Sequence, residues 1–239
     1  MGNHASVKRA HITVLAIACI GAAAIAESYL GSTRYQLNDA TYAVPHKYEF
    51  MRNFRVPWLA SVKGLDKEPD ESVWLLLPAS ELRGGVQGYK RMFHGYSSDV
   101  EADMVVQVLG GKEAREFPAD RSSDITKVRQ ELAKDGLRQR DPTTGWDRVY
   151  WLVGEEGTPG EGGSLFYLVP RDGVESLPPN WRVPSCQGSP DVKGHERFDC
   201  SFTISDKGLV FDFTLRQENV GTASRIAAYV LRRLASWRA

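Results

Sequence analysis

The residues most able to act as a chemical pair are Cys186 and Cys200, with thirteen residues between them. Oxidised, they would close a loop containing Gly188, Pro190, Gly194 and His195, stabilising the fold by roughly 3 kcal/mol. Reduced, they would be free thiols, or, with His195, three ligands of a metal site that lacks a fourth. Structural zinc sites bring closely spaced pairs such as C-x2-C, and no such pair occurs. A C-x-x-C redox motif is also absent. The disulfide is the favoured reading, with a free pair and a metal site as alternatives. The third cysteine, Cys19, sits within an apolar run.

The five histidines, His4, His11, His46, His94 and His195, are scattered and form no H-E-x-x-H pattern. His94 or His195 would need the fold to bring a serine, cysteine or carboxylate beside it before it could serve a hydrolase. No G-x-S-x-G elbow, Walker loop or G-x-G-x-x-G fingerprint is present. Asp99, Glu101 and Asp103 alternate before an apolar run, so an extended chain would put them on one face. Three carboxylates could bind calcium or act as acid and base, although a solvated strand end explains them more simply. Glu155, Glu156 and Glu161 lie in the glycine-rich stretch Gly154–Gly163, a candidate partner-binding loop whose plainer reading is an ordinary surface loop. No cofactor is implied.

These residues must be positioned by elements the pattern outlines. Asn38-Asp39 is a turn signal between two short strands within Tyr35–Val44. Val73–Leu77 is a continuous apolar run closed by Pro78, which reads as a buried strand, and Met104–Leu109 before Gly110-Gly111 reads as another. Glu81–Ser98 is loop-like with room for a short helix. Ser123 or Asp124 would cap a helix bearing the stripe Ile125, Val128 and Leu132. Trp146–Val153 and Ser164–Val169 predict a hairpin whose tip is the acidic glycine-rich stretch. An irregular segment from Leu177 leads to Cys186. Phe198–Ile204 and Leu209–Leu215 flank a turn at Asp206-Lys207-Gly208. Ala223, Ile226, Ala227, Val230, Leu234 and Trp237 make the apolar stripe of a C-terminal helix, capped by Asn219 or Thr222. The expected fold class is α+β, a mainly antiparallel sheet with a mid-chain helix and a C-terminal amphipathic helix, preceded by an N-terminal hydrophobic helix.

That first element sets the address. Ile12–Ala26 is an uncharged, mostly apolar run behind Lys8 and Arg9. As a helix it would reach roughly 22 Å, short of the ~30 Å hydrocarbon core. The layout is that of a signal peptide, with Ala24-Ile25-Ala26 matching the small-residue cleavage site. The rival is an uncleaved anchor reaching Leu30, which holds the N-terminus in the cytoplasm and the body outside. Lipidation at Cys19 and a buried cytosolic helix are further alternatives. The expected organisation is therefore residues 1–34 as signal or anchor plus tether, Gly31–Arg34 being the tether, and residues 35–239 as one exported domain. Its place is the periplasmic side, anchored in the inner membrane or released after cleavage near Ala26. An oxidising compartment is also where a two-cysteine body forms a disulfide.

Charge is balanced, 30 basic against 30 acidic residues, which gives no reason to expect nucleic acid or an anionic surface as a bulk partner. In layout the chain resembles small exported or membrane-anchored proteins of Gram-negative bacteria, some of which are envelope-side immunity proteins against secreted toxins. The residues in common are the signal-like start, Tyr42-Ala-Val-Pro45 followed by Tyr48 and Phe50, and Cys200-Ser-Phe-Thr-Ile204 with its terminal helix. The resemblance implies a non-enzymatic envelope protein that binds a protein partner and transfers no functional residues. An envelope hydrolase and a structural envelope component are the alternatives.

Overall fold

The structure, a computed structural model, describes residues 31–50, 71–93, 101–133, 138–150, 164–190 and 196–239. The N-terminal apolar run, the Gly154–Gly163 stretch with Glu155, Glu156 and Glu161, and Asp99, His94 and His195 lie outside them. Among the described residues no helix is long and apolar enough to cross a membrane.

The first hairpin pairs β1 (Ser32–Leu37) with β2 (Ala40–Pro45) in antiparallel register, Leu37 opposite Ala40. Asn38 takes the turn's left-handed conformation, φ 54°, which its short polar side chain tolerates. The two expected strands are present, but Ser32–Arg34 pairs within β1 and is not a tether, because Thr33 and Arg34 find ladder partners in Val44 and Ala43.

The remaining strands form one antiparallel sheet of eight: β3 (Ser72–Leu77), β4 (Met104–Leu109), β5 (Arg138–Arg140), β6 (Asp147–Tyr150), β7 (Ser164–Val169), β8 (Ser185–Pro190), β9 (Glu196–Asp206) and β10 (Leu209–Arg216). The order is β3-β4-β10-β9-β8-β7-β6-β5. From β5 to β10 each strand pairs with the next along the chain, and the last then lies beside β4 from the start of the sheet. The β9–β10 turn uses Lys207 (φ 50°) and Gly208 (φ 77°), the two positive angles a type I′ hairpin needs.

Period-two alternation sorts the strands into two faces. Val73, Leu75, Met104, Val106, Val108, Cys200, Phe202, Ile204, Phe211, Phe213 and Leu215 point one way and are buried. Phe202 stacks on Phe213 at 6.0 Å, and Trp181 meets Phe202 edge-on at 5.5 Å. This inner face is covered by the C-terminal helix α3 (Ala223–Ser236) and the short α1 (Ala79–Gly85), through buried Ile226, Ala227, Val230 and Leu82. Glu81 ties the cover together by accepting from Tyr48 Oη (2.8 Å), Tyr229 Oη and the Arg233 guanidinium. The C-terminal stripe is as the sequence reads. Thr222 gives the helix no side-chain cap, because its hydroxyl donates to the Asn219 carbonyl instead.

Helix α2 (Gly111–Leu132) crosses the other face and rests on β10 and β6. It begins twelve residues before the start the pattern suggests at Ser123-Asp124. Pro118 lies inside it, and the true cap is supplied from afar: Asn38 Oδ1 accepts from Gly111 N at 2.6 Å. Gly111 has φ +54°, which most side chains adopt only with strain, and a Cβ there would stand 2.0 Å from Glu71 Oε2 and displace that carboxylate. Asp124 caps nothing and pairs with Arg182 at 2.8 Å.

From Leu177 to Pro184 the chain forms no helix or named strand, as expected of an irregular stretch, and it then enters β8, where Gly188 pairs with Phe198 and Cys186 with Cys200. The two cysteines are joined as a disulfide, both buried. That excludes the metal reading for this pair. Among the described residues, no cluster of three or more His, Cys, Asp or Glu could hold a metal ion.

Candidate partner-binding face

Helix α2 covers part of the outer face of β10 and leaves the rest, with that of β3, β4 and β9, open. There Trp74, Gln107, Asp199, Ser201, Asp212, Thr214 and Arg216 line a shallow trough of about 420 Å³, walled on one side by Phe93. A neighbouring space of about 300 Å³ runs on under α2 past Tyr167 and Arg182, sharing Ser201 and Asp212 with the trough. Trp74 is 44% exposed and Phe50 43%, the two large apolar side chains of the described chain most open to water. They are neighbours, since the Phe50 amide donates to the Trp74 carbonyl at 3.0 Å.

The sequence suggested a buried strand at Val73–Leu77. One face of the sheet is open there, so only alternate residues of β3 reach the core and Trp74 faces out. An exposed tryptophan on a concave, half-polar surface is the kind of side chain that anchors protein interfaces, because it buries a large area at the cost of few rotatable bonds.

The trough's carboxylates are under-neutralised. Asp212 accepts from the Thr203 hydroxyl at 3.2 Å. Arg182 stands nearby but spends its guanidinium on Asp124 and Asp120. Burial therefore pushes the Asp212 carboxyl above the usual carboxylate range, against the lesser pull of Thr203 and Arg182. Burial does the same to Asp199, outweighing Arg216, which lies 3.5 Å away. The two acids are not a catalytic pair. Asp199 faces Arg216 and Asp212 faces Thr203 across the same ladder, four positions apart, or about 13 Å along a strand. Carboxylates that share a proton or flank a scissile bond stand closer than that.

Other candidates have structural partners. Glu101 pairs with Arg83, and Asp103 Oδ1 accepts from Ala79 N at 2.9 Å, capping α1. Two of the three alternating carboxylates thus serve the fold, which removes the calcium reading for them. Tyr89, beside both, is buried and its hydroxyl is pushed up to about 12, chiefly by burial. His46 packs against Glu49 beneath the first hairpin, its Nε2 4.0 Å from Glu49 Oε2, away from the trough. The alternation of Asp212 and Thr214 with buried neighbours was visible in the sequence. That Trp74 would join them required the strand order.

No protein-family model matches the chain, and no curated protein sequence matches it. Among solved structures, an immunity protein of the Stenotrophomonas maltophilia type IV secretion system superposes with a TM-score of 0.43 at 11% identity, covering 87% of this chain and 94% of that chain.

Proposed function

We propose that this chain is a non-enzymatic, envelope-side protein that works by binding a protein partner in the trough around Trp74. The observation carrying this reading is the exposed Trp74 at the rim of a polar concavity whose two acids stand too far apart to cooperate chemically. Export is supported by the Ile12–Ala26 run behind Lys8 and Arg9 and is consistent with a disulfide, which persists in oxidising compartments. On this reading the body faces the periplasm, anchored in the inner membrane or freed after cleavage near Ala26. The immunity-type role rests on the sequence resemblance described above, and the partner would be a secreted toxin.

The test places a photo-crosslinking residue at Trp74 in the full chain, produced in its own envelope, with Arg232 on exposed α3 as the control position. A discrete adduct at position 74, absent at 232 and lost when Asp199→Lys is added, supports the reading. Identical adduct patterns at the two positions would overturn it. Deleting residues 155–161 in parallel separates the trough from the acidic loop as the contact.

A further inference from the structure

The far edge of the sheet is β5, Arg138-Gln139-Arg140, exposed at all three residues. Among the described residues nothing pairs with its outer side. Which backbone groups it offers follows from the hairpin. Asp141 N donates to Trp146 O at 2.8 Å, which puts residues 141 and 146 at a hydrogen-bonding position of the ladder, although Trp146 N donates to Thr144 Oγ1 instead. Such positions alternate along an antiparallel ladder. The next is therefore Gln139 with Arg148, and the N–H and C=O of Arg138 and Arg140 point away from β6 to the open edge.

The side chains of the same two residues share one face and converge on Asp147. Arg138 Nε donates to Asp147 Oδ2 at 2.6 Å, and Arg140 Nη1 to Oδ1 at 3.1 Å. Arg171 completes an open basin of about 530 Å³ with them. Two guanidiniums thus share one carboxylate, which is only 8% exposed while the side chains of Arg138 and Arg140 are 50% and 48% exposed. With Arg171, whose backbone carbonyl accepts from Arg138 Nη2 at 3.1 Å, the residues lining the basin carry more positive than negative charge. The edge is also held rigid from within. The Asp141 carboxylate accepts from the amides of Thr143 (3.0 Å) and Thr144 (2.6 Å) and from buried Arg148 at 2.6 Å, so little ordering remains to be done on binding.

We propose that β5 is a docking edge for an extended acidic segment of another protein, which adds as an antiparallel ninth strand with Asp or Glu opposite both Arg138 and Arg140. Like charges on an edge strand keep copies of the same edge apart, and the same arginines select a strand of opposite charge. Facing residues bring their Cβ atoms to about 5 Å, within reach of a guanidinium–carboxylate pair. The required spacing is acid-x-acid. In that register the acidic residues are also the ones whose own N–H and C=O bond to β5. The inference stands apart from the trough and does not depend on it.

The test uses the full chain and a fluorescent peptide, acetyl-Thr-Glu-Val-Glu-Val-Glu-Thr-amide, followed by anisotropy. Saturable binding is expected, weakened at least tenfold by Arg138→Gln with Arg140→Gln. N-methylating the glutamate amides is expected to weaken binding at least tenfold, and N-methylating the valine amides less than threefold. These peptides leave the protein untouched, so a folding defect cannot mimic the result. Equal affinity of the two N-methylated peptides, displacement by millimolar inorganic phosphate alone, or no saturable binding would each overturn the proposal.

Discussion

At the scale of single residues, three acids in or beside strands carry opposite energetic signs, and the difference lies in who answers their charge. Asp141 is fully buried, and burial works against its charge. The Thr144 amide, the Arg148 guanidinium and the Thr144 hydroxyl outweigh it and hold the carboxyl below the ordinary 3.8. A folded-state value below the unfolded one means stability that is present above pH 3.8 and lost as pH falls through the lower folded value. Asp141→Asn would strand the buried Arg148 charge and cost about 3 to 5 kcal/mol. Denaturant melts should show that gap unchanged from pH 7 to 5, narrowing only below 3.8. Asp212 is the reverse case. Its carboxyl is raised, so its ionised form costs stability at neutral pH and the cost fades as pH falls through the folded value toward 3.8. Asp212→Asn should raise Tm at pH 7 by roughly 1–3 °C, with the advantage shrinking toward pH 4. A constant advantage across that range would mean that burial of the charge is not its source. Asp147 resembles Asp141: burial opposes its charge, yet Arg138 and Arg140 hold it low, as befits an acid that organises a basic edge.

At the scale of elements, what the sequence lacked was partners distant along the chain. Strands with β-branched and aromatic alternation, such as Met104–Leu109 and Leu209–Leu215, were legible because the signal lies within the strand. β8 was not, since Ser-Cys-Gln-Gly-Ser-Pro carries no strand signal of its own. It is a strand because β7 and β9 hold it. The start of α2 was missed for the same reason. Pro118 and the polar residues after Gly111 suggest a loop, whereas the cap comes from Asn38, seventy-three residues earlier. Of the candidate site, the outward alternation of Asp212 could be read directly, while the exposure of Trp74 followed only from which face of the sheet is open. Asn38 makes the case testable. Its Oδ1 caps α2 and its Nδ2 donates to the Gly208 carbonyl at 2.7 Å, so one turn holds a helix start and a second hairpin together. Asn38→Gly keeps the positive φ free of strain but removes both bonds. It should cost about 1–2 kcal/mol in chemical denaturation, and Asn38→Ala more, because alanine also resists φ 54°. Equal losses for the two variants would show that the conformation does not matter there.

At the scale of the whole molecule, the disulfide links stability to address. The β4–β10 pairing joins strands separated by the whole of β5 to β9, so the sheet depends on long-range contacts that are slow to form and costly in loop entropy. Cys186 and Cys200 face each other among those strands and fix the register of β8, the strand with the least signal of its own. A one-residue slip of β8 would turn Cys186 outward, away from Cys200. The cross-link should therefore do more than restrict the unfolded chain. Replacing both cysteines by alanine should cost about 2–4 kcal/mol, and amide exchange should quicken first in β8 and in the β7 and β9 residues that pair with it. Full chain made in an oxidising compartment should match the undisturbed protein. The same chain made with reduced thiols should match the double alanine variant in both stability and exchange. If instead the double variant loses stability uniformly, with β8 exchanging no faster than β4, the bridge acts only on the unfolded state and the register of β8 is held by Phe198 and Phe166 packing alone.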